Sequence, residues 1–462
     1  MSKLNKDVLS LILEELHDNV KSLYSCLFVN KTWCNIVVPI LWKNFLKHLK
    51  VEKKSMDIII SHLPNETKEF LLSKGIDLKS IVQQKPLFNY FNFCKYFDLF
   101  RLEGIFSTIE DVEESKIPII KNEILKLFVN RNKVYTHLYI SQQCNLQIHL
   151  ISEAEYCFSE LKYLHCYGNL PKSTLVGLAG ICKSIKNLRL EFCNNNSGAI
   201  KLIEAQRSLN DVIFTRLMTN DESFCRILEV SLVKHADTIK FLKINWKPVT
   251  KSISYLKNLI SLEIDSFYYS NLSNCSYLEN VSLPVLEFLK TKRISSKDLV
   301  DLIENTKGHL TEISIDREGD DNKRLIQAIY QNCPYLKYLK LTFNNSNILA
   351  LENLLINCQY LNGLIIILGN ELDWDNLFEI LTELSPANLF KFKLFFAWHS
   401  KVPTESLKLF FDNWKSRCPM LLQTNYENMG YHYLIKKYKA KGIIKKYHYS
   451  SSESTFENFE WI

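Results

Sequence analysis

The stretch Cys333-Pro-Tyr-Leu336-Lys-Tyr-Leu339-Lys-Leu341 decides how this chain of 462 residues is read. Its apolar residues stand in the frame L-x-x-L-x-L. The last pair lies two apart, the period of a strand with one buried face. The frame recurs as Leu161-Lys-Tyr-Leu-His-Cys166, Ile185-Lys-Asn-Leu-Arg-Leu190, Ile239-Lys-Phe-Leu-Lys-Ile244, Leu259-Ile-Ser-Leu-Glu-Ile264, Leu310-Thr-Glu-Ile-Ser-Ile315 and Leu361-Asn-Gly-Leu-Ile-Ile366. Weaker copies are Tyr135–Ile140, Leu209–Phe214, Leu286–Thr291 and Leu389–Leu394. The middle apolar residue falls at 138, 164, 188, 212, 242, 262, 289, 313, 339, 364 and 392, so the step runs from 20 to 30 residues. Helical patterns fill the intervals. Ser295–Thr306 carries Leu299, Leu302 and Ile303, and Asp320–Cys333 carries Leu325, Ile326 and Ile329.

A strand followed by a helix at this period is the signature of leucine-rich repeats. Cys182, Cys333, Cys358 and Cys418 each precede an apolar residue that opens a frame by three positions (Ile185, Leu336, Leu361, Leu421). Two of them read Cys-Pro, at Cys333-Pro334 and Cys418-Pro419. This phase resembles the cysteine-containing repeats of F-box proteins. A small buried residue at one place in each coil accounts for the thiols without metal or redox chemistry. Asn194 and Asn344 follow their frames where a side-chain amide satisfies turn backbone groups. The expected fold is α/β: a repeat solenoid over residues 131–425, with a curved parallel sheet inside, helices outside and one continuous core.

Residues 1–45 read as compact helices. Asn5 is placed to cap a helix carrying Val8, Leu9, Ile12, Leu13 and Leu16, which recur at three- and four-residue steps. A second helix around Val20–Phe28 sets Leu23 and Leu27 one turn apart, and Asn30 is placed to cap a third, Lys31–Val37. Pro39 is expected to stop that helix and begin another leading to Leu41 and Trp42. So short a piece buries too little surface for all these apolar residues, so a partner or the rest of the chain should cover some of them.

The run Leu4, Asp7-Val8-Leu9, Ile12, Leu16, Leu23, Cys26-Leu27, Val29-Asn30-Lys31, Trp33, Val37, Pro39, Leu41-Trp42 resembles an F-box. Cys26-Leu-Phe-Val-Asn-Lys-Thr-Trp33 followed by Pro39-Ile-Leu-Trp42 resembles the form common in fungal F-box proteins. Many F-boxes open with Leu-Pro, whereas this chain has Leu4-Asn5. The resemblance implies docking onto a Skp-type adaptor and, through it, a cullin–RING ubiquitin ligase. It implies anchors at Leu4, Val8, Leu9, Leu13, Leu16, Leu27, Val29, Trp33, Pro39 and Trp42, as apolar side chains at helical spacing fill a groove. Internal helical core is the alternative role for several of them.

Residues 46–130 read as a helical connecting segment that caps the array. Short helices are expected at Met56–Leu63 and Thr67–Leu72 around Leu63-Pro64. The aromatic run Phe88-Asn-Tyr-Phe-Asn-Phe93 with Tyr96-Phe97 is read as packing rather than as a nucleic-acid stacking platform, since no basic residue interleaves before Lys95. Residues 426–462 read as a C-terminal cap and tail. Tyr431–Lys446 sets six lysines among Tyr433, Leu434, Tyr438, Ile443 and Ile444. A terminal helix ending near Gly442 and then a strand is favoured over a basic surface for nucleic acid or membrane. Ser450–Ile462 is expected to be a mobile tail with candidate phosphosites.

Composition narrows the function. A charge of +7 over 57 basic and 50 acidic residues is a mild excess, so nucleic acid is disfavoured as a partner. No apolar run approaches the ~18 residues of a membrane span, and no signal peptide is read at the start. Thirteen cysteines without a C-x-x-C pair point to a reducing compartment, cytoplasm or nucleus. No Gly-rich phosphate loop, G-x-S-x-G elbow, H-E-x-x-H or zinc pattern occurs, so no catalytic residue, metal or cofactor is expected.

The outward positions of the frames then become the expected target-binding face. They are Tyr163, His165, Tyr167, Arg189, Glu191, Lys243, Glu263, Asp265, Lys290, Lys292, Glu312, Asp316, Tyr338 and Lys340, continuing to Lys391, Lys393 and Phe395. Aromatics mixed with both charges suit a protein target. The expected function is a substrate-recognition subunit of a Skp–cullin–F-box ubiquitin ligase. A leucine-rich-repeat scaffold without a ligase is the alternative, and a nucleic-acid binder using the lysine-rich stretch is a third reading. On the ligase reading, Trp33→Ala with Leu27→Ala is expected to abolish adaptor binding and leave the array folded.

Overall fold

The computed structural model describes residues 5–44, 46, 53–76, 86–109, 112–141, 148–216, 222–266, 277–316, 322–368, 372–396, 403–426 and 429–461. The chain forms two compact units. The first holds residues 1–209 and 214–219, and the second holds 210–213 and 220–462.

The first unit opens with three helices, each started by an asparagine. Asn5 Oδ1 accepts from Asp7 N at the head of α1 (Lys6–Glu14). Asn19 Oδ1 accepts from Ser22 N at α2 (Val20–Cys26), and Asn30 Oδ1 accepts from Thr32 N and Trp33 N at α3 (Lys31–Trp42). These bonds satisfy donors that a helix start leaves free. Leu9, Leu13, Leu23, Ile36, Val37 and Leu41 form the core of the module. Pro39 does not stop α3. The helix gives up one backbone bond there, and burial of Ile36, Val37, Val38 and Leu41 on either side holds it together.

Helices Lys53–Ser61 and Asn65–Ser73 follow, separated at Leu63-Pro64. The aromatic run then packs inward. Tyr90 stacks on Trp42 at 3.9 Å, and Phe91 meets Phe128 edge-on at 4.8 Å. The first parallel ladder is β1 (Tyr96–Asp98), β2 (His137–Ser141), β3 (Tyr163–Tyr167) and β4 (Asn187–Phe192). Helices Leu99–Phe106, Ile117–Phe128, Ala154–Phe158 and Lys172–Ile181 connect these strands. Strand β5 (Asp211–Arg216) falls where the chain divides.

The second unit carries β6 (Phe241–Ile244), β7 (Ser261–Asp265), β8 (Phe288–Lys292), β9 (Glu312–Asp316), β10 (Tyr338–Phe343), β11 (Gly363–Leu368), β12 (Lys391–Phe396), β13 (Met420–Thr424) and β14 (Ile444–Tyr449). Each pairs in parallel with the next. The middle residues of the frames meet in register: Leu242, Leu262, Leu289, Ile313, Leu339, Leu364, Phe392 and Leu422 stand side by side across successive strands, all buried. A sequence period thus becomes one row of a shared core, which no single coil could bury alone. The architecture is α/β with the strand–helix coils of a leucine-rich-repeat array.

The ladder starts before residue 131 and runs past 425. Strand β1 has only Phe97 as a buried residue, too little to display the frame. At the other end, the helix Met429–Ala440 and β14 close the second unit, as the sequence reading anticipated. In β14 only Ile444 is buried, and Lys445 and Lys446 are exposed, which suits an edge strand.

Cys182, Cys333 and Cys358 are buried at the C-caps of helices Lys172–Ile181, Lys323–Asn332 and Ile348–Asn357, and the N–H of each donates to the fourth carbonyl back. Burial pushes all three thiols up, Cys182 and Cys358 to about 12. A thiol reagent under native conditions is therefore expected to label exposed Cys418 and to spare these three until the chain unfolds. Mass spectrometry of partially labelled protein checks this, and early adducts on Cys333 would contradict it. The turn amides act too, at Asn344 as expected and at two further asparagines. Asn169 Oδ1 accepts from Cys193 N and Asn194 N, and Asn425 brackets Phe396 with a bond in each direction. Asn344 bonds within its own turn: its Oδ1 accepts from Ser346 N and Oγ, and its N–H donates to Asn347 Oδ1.

Candidate protein-binding surfaces

Three surfaces stand out, one on the helical module and one on the open sheet face of each unit, the side turned away from the helices.

On the module, the expected anchors separate by burial. Leu9 and Leu13 lie in its core, so they shape it and present no surface. Leu16, Leu27 and Trp33 are half-buried against that core. Trp42 is covered by Tyr90, and Pro39 lines a cleft inside the unit. Leu4 lies outside the described residues. Val8 and Val29 are exposed. Sequence reasoning did not single out Leu11, Tyr24 and Phe28, and used Ile12 only as part of a helix face. Leu11 is 66% exposed, Ile12 50% and Phe28 88%. Val8, Leu11 and Ile12 share one face of α1, at i, i+3 and i+4. Phe28 and Val29 form the turn between α2 and α3. The missed signal is the excess of the apolar pattern: α1 carries more apolar positions than one core stripe needs.

In the first unit, rings lie across the open face. Tyr96 stacks on His137 at 3.9 Å, His137 on Tyr163 at 5.3 Å, and His165 sits 3.6 Å from Tyr167. Tyr139 joins at 5.3 Å from Tyr163. Tyr96, His137 and Tyr139 were not among the expected residues. For His137 and Tyr139 the signal was the weak frame Tyr135–Ile140, which places an imidazole and a phenol at the two outward positions of its strand. Beside them Glu191 accepts from His165 Nε2 at 3.1 Å and from Arg189 at 3.3 Å. A cleft of about 1490 Å³ opens over this face, lined by Tyr96, Tyr139 and Tyr167 on one side and by Lys6, Glu14 and Pro39 of the module on the other.

Burial lowers the His137 and His165 imidazoles to about 4. Lys43 adds to this for His137. For His165 the bond to Glu191 opposes it without cancelling it. Both are neutral when folded and bind protons on unfolding below their ordinary value of 6.5. Their contribution to stability is complete above pH 6.5 and declines as pH falls to about 4. Thermal melts at several pH values are expected to show that decline, and His137→Phe with His165→Gln should flatten it. An unchanged slope in the double variant would reject this assignment.

In the second unit, the outward charges mostly pair across neighbouring strands. Lys243 meets Glu263 at 2.8 Å from the directly opposed position, Lys340 meets Asp316 at 3.0 Å, and Arg293 meets Asp265. The Lys243–Glu263 and Arg293–Asp265 pairs are partly exposed and contribute little stability, whereas Lys340 is buried. Lys391 Nζ donates to the Tyr338 hydroxyl at 3.2 Å.

The segment after β14 does not behave as the expected mobile tail. It turns through Glu453–Phe456 and lies on the open face of its own unit. Thr455 O and Asn458 O accept from Lys393 Nζ at 2.7 and 2.9 Å, and Gln423 Nε2 donates to Thr455 Oγ1 at 2.8 Å. Phe456 is buried beside Phe395, Phe459 stacks on Tyr338 at 5.4 Å, and Glu457 pairs with Lys292 at 2.5 Å. Lys393 is consequently 1% exposed and Lys340 2%, although both point outward from their strands. A serine-rich start and few aliphatic residues hid this docking. Its anchors are three aromatics with no helical or strand period.

Among the described residues, no helix is long and apolar enough to cross a membrane, and no cluster of three or more His, Cys, Asp or Glu residues could hold a metal ion. No protein-family model matches the chain. No curated protein matches it. Among solved structures the chain is similar to the leucine-rich repeat-containing protein LegL7 from Legionella pneumophila, with 14% identity, a TM-score of 0.33, and coverage of 66% of this chain and 91% of that chain.

Proposed function

We propose that this chain is a substrate receptor of a Skp–cullin–F-box ubiquitin ligase. The three-helix module docks the Skp-type adaptor, and the repeat array holds a protein target. The chain itself contributes proximity, and the ubiquitin chemistry belongs to the rest of the ligase.

One observation carries the docking half. A small module with its own completed core still leaves Val8, Leu11, Ile12, Phe28 and Val29 in water. Large apolar side chains clustered in so few residues mark a surface that a partner covers. They lie on one face of a helix and in an interhelical turn, which suits insertion into an apolar groove. The target-binding half is supported by the open faces of the two units, where aromatic rings and lysines project from rigid strands. The test is co-expression of the full chain with a Skp-type adaptor, followed by size-exclusion chromatography. A one-to-one complex is the expected result. Separate elution would leave a repeat scaffold without a ligase as the reading of this chain.

A further inference from the structure

The tail of the second unit lies in a receiving site with three separate features. The first is a slot. Gly363 occupies an outward position of β11, between Tyr338 of β10 and Lys391 of β12. A Cβ there would meet the Trp461 ring at 2.6 Å and the Tyr338 ring at 2.9 Å. The missing side chain is what lets the indole seat against the strand. The second is charge. Residues 450–462 carry Glu453, Glu457 and Glu460 and no base. Lys292, Lys290 and Lys340 all act on Glu457, and Lys393 and Glu460 attract each other. The third is a pair of apolar seats, Phe456 beside Phe395 and Phe459 on Tyr338.

The fit is incomplete in a way that favours exchange. The Trp461 indole N–H is buried without a hydrogen-bond acceptor. Covering Lys393 removes water from its ammonium and lowers it to about 8, although the lysine donates to two tail carbonyls. An occupant whose last ring has no N–H, or whose carboxylate reaches Lys393, would lie there at lower cost.

We propose that the open face over β8–β13 is a binding site for an acidic, aromatic peptide segment, that Phe456-Glu-Asn-Phe-Glu-Trp461 is its resident occupant, and that a protein partner bearing the same aromatic–acid–x–aromatic–acid–aromatic order binds by displacing it. The tail acts as a tethered competitor, present at high effective concentration because it belongs to the same chain. This deepens the target-binding half of the proposed receptor and owes nothing to the adaptor, whose binding is read by a separate experiment on the module.

The experiment uses a fluorescein-labelled peptide spanning residues 450–462 and fluorescence anisotropy. The chain ending at Tyr449 is expected to bind it one-to-one, at least tenfold more tightly than the full chain does. A peptide carrying Glu457→Lys with Phe459→Ala is expected to lose tenfold or more. Introducing Gly363→Val into the shortened chain should abolish binding by filling the slot. If the shortened chain does not fold, the full chain carrying Glu457→Lys and Trp461→Ala takes its place, with release of its tail confirmed by hydrogen exchange over 450–461. A folded chain with its tail removed or released that binds the peptide no better than the full chain overturns the proposal. So does binding indifferent to Glu457→Lys and Phe459→Ala in the peptide.

Discussion

Phe28→Asp combined with Ile12→Asp is expected to abolish adaptor binding and leave the chain folded. Both side chains are at least half exposed, so replacing them removes almost no packing from the module. Surface changes of this kind usually alter stability by less than about 0.5 kcal/mol. In a complex the balance reverses. Burying each large apolar side chain is worth about 1.5–3 kcal/mol, and each aspartate would instead have to be desolvated. The loss should exceed roughly a thousandfold in affinity. Titration calorimetry with the adaptor checks the loss, and circular dichroism with thermal melting checks the fold. Binding retained by a folded double variant would sink the docking assignment. Trp33→Ala with Leu27→Ala is a poorer test, because both side chains pack against the core of the module. Their loss would also loosen the module.

Glu229→Ala is expected to destabilise the second unit by about 3 kcal/mol, since it strands several buried donors at once. Glu229 is buried on the helix Glu222–Ser231 and accepts from Trp246 Nε1 at 2.9 Å, Val249 N at 3.0 Å and Thr250 Oγ1 at 2.5 Å. These donors belong to the shortest coil, between β6 and β7, where only a brief turn at Ser252–Tyr255 stands in place of a helix. The carboxylate gives order to a coil that has no α-helix of its own. In a unit of this size the loss corresponds to a melting point lower by roughly 6–12 °C. Differential scanning calorimetry measures it, and a fall under one degree would show that the bonds are replaced by water at little cost. Burial raises the Glu229 carboxyl above its ordinary range against the pull of these same donors. The uncharged Glu229→Gln, which keeps an acceptor oxygen, should therefore fall between the wild-type chain and the alanine variant.

The array was legible in the sequence because each coil repeats the same physical demand. Leu339 and Leu364 had to be apolar for the same reason, and they stand side by side in register. The short step from 242 to 262 was visible, but its remedy was not. Nothing in the spacing of Glu229, Trp246 and Thr250 announces that one carboxylate gathers all three. The module's helices were legible from the caps Asn5 and Asn30 and from three- and four-residue steps, apart from the Asn19 cap of α2 and the run of α3 through Pro39. Which apolar residues face inward was not, because α1 has apolar side chains on more than one side. The open face was legible as a list of outward positions. Its use was not, since Lys292, Lys340 and Lys393 owe their surroundings to residues more than sixty positions away or on other strands.

The seating of Trp461 against Gly363 bears on how this protein is handled at the bench. Anything joined after residue 462, such as an affinity handle, a fluorescent reporter or a protease scar, begins two residues beyond an indole that fills a slot in the sheet. A bulky or basic fusion there would pull on that ring or bring positive charge against Lys393. Pull-downs from a C-terminally fused chain would then sample an artificially opened face and recover a different set of proteins from an N-terminally fused one. The comparison between the two fusion geometries is itself a reading of whether the face is closed at rest.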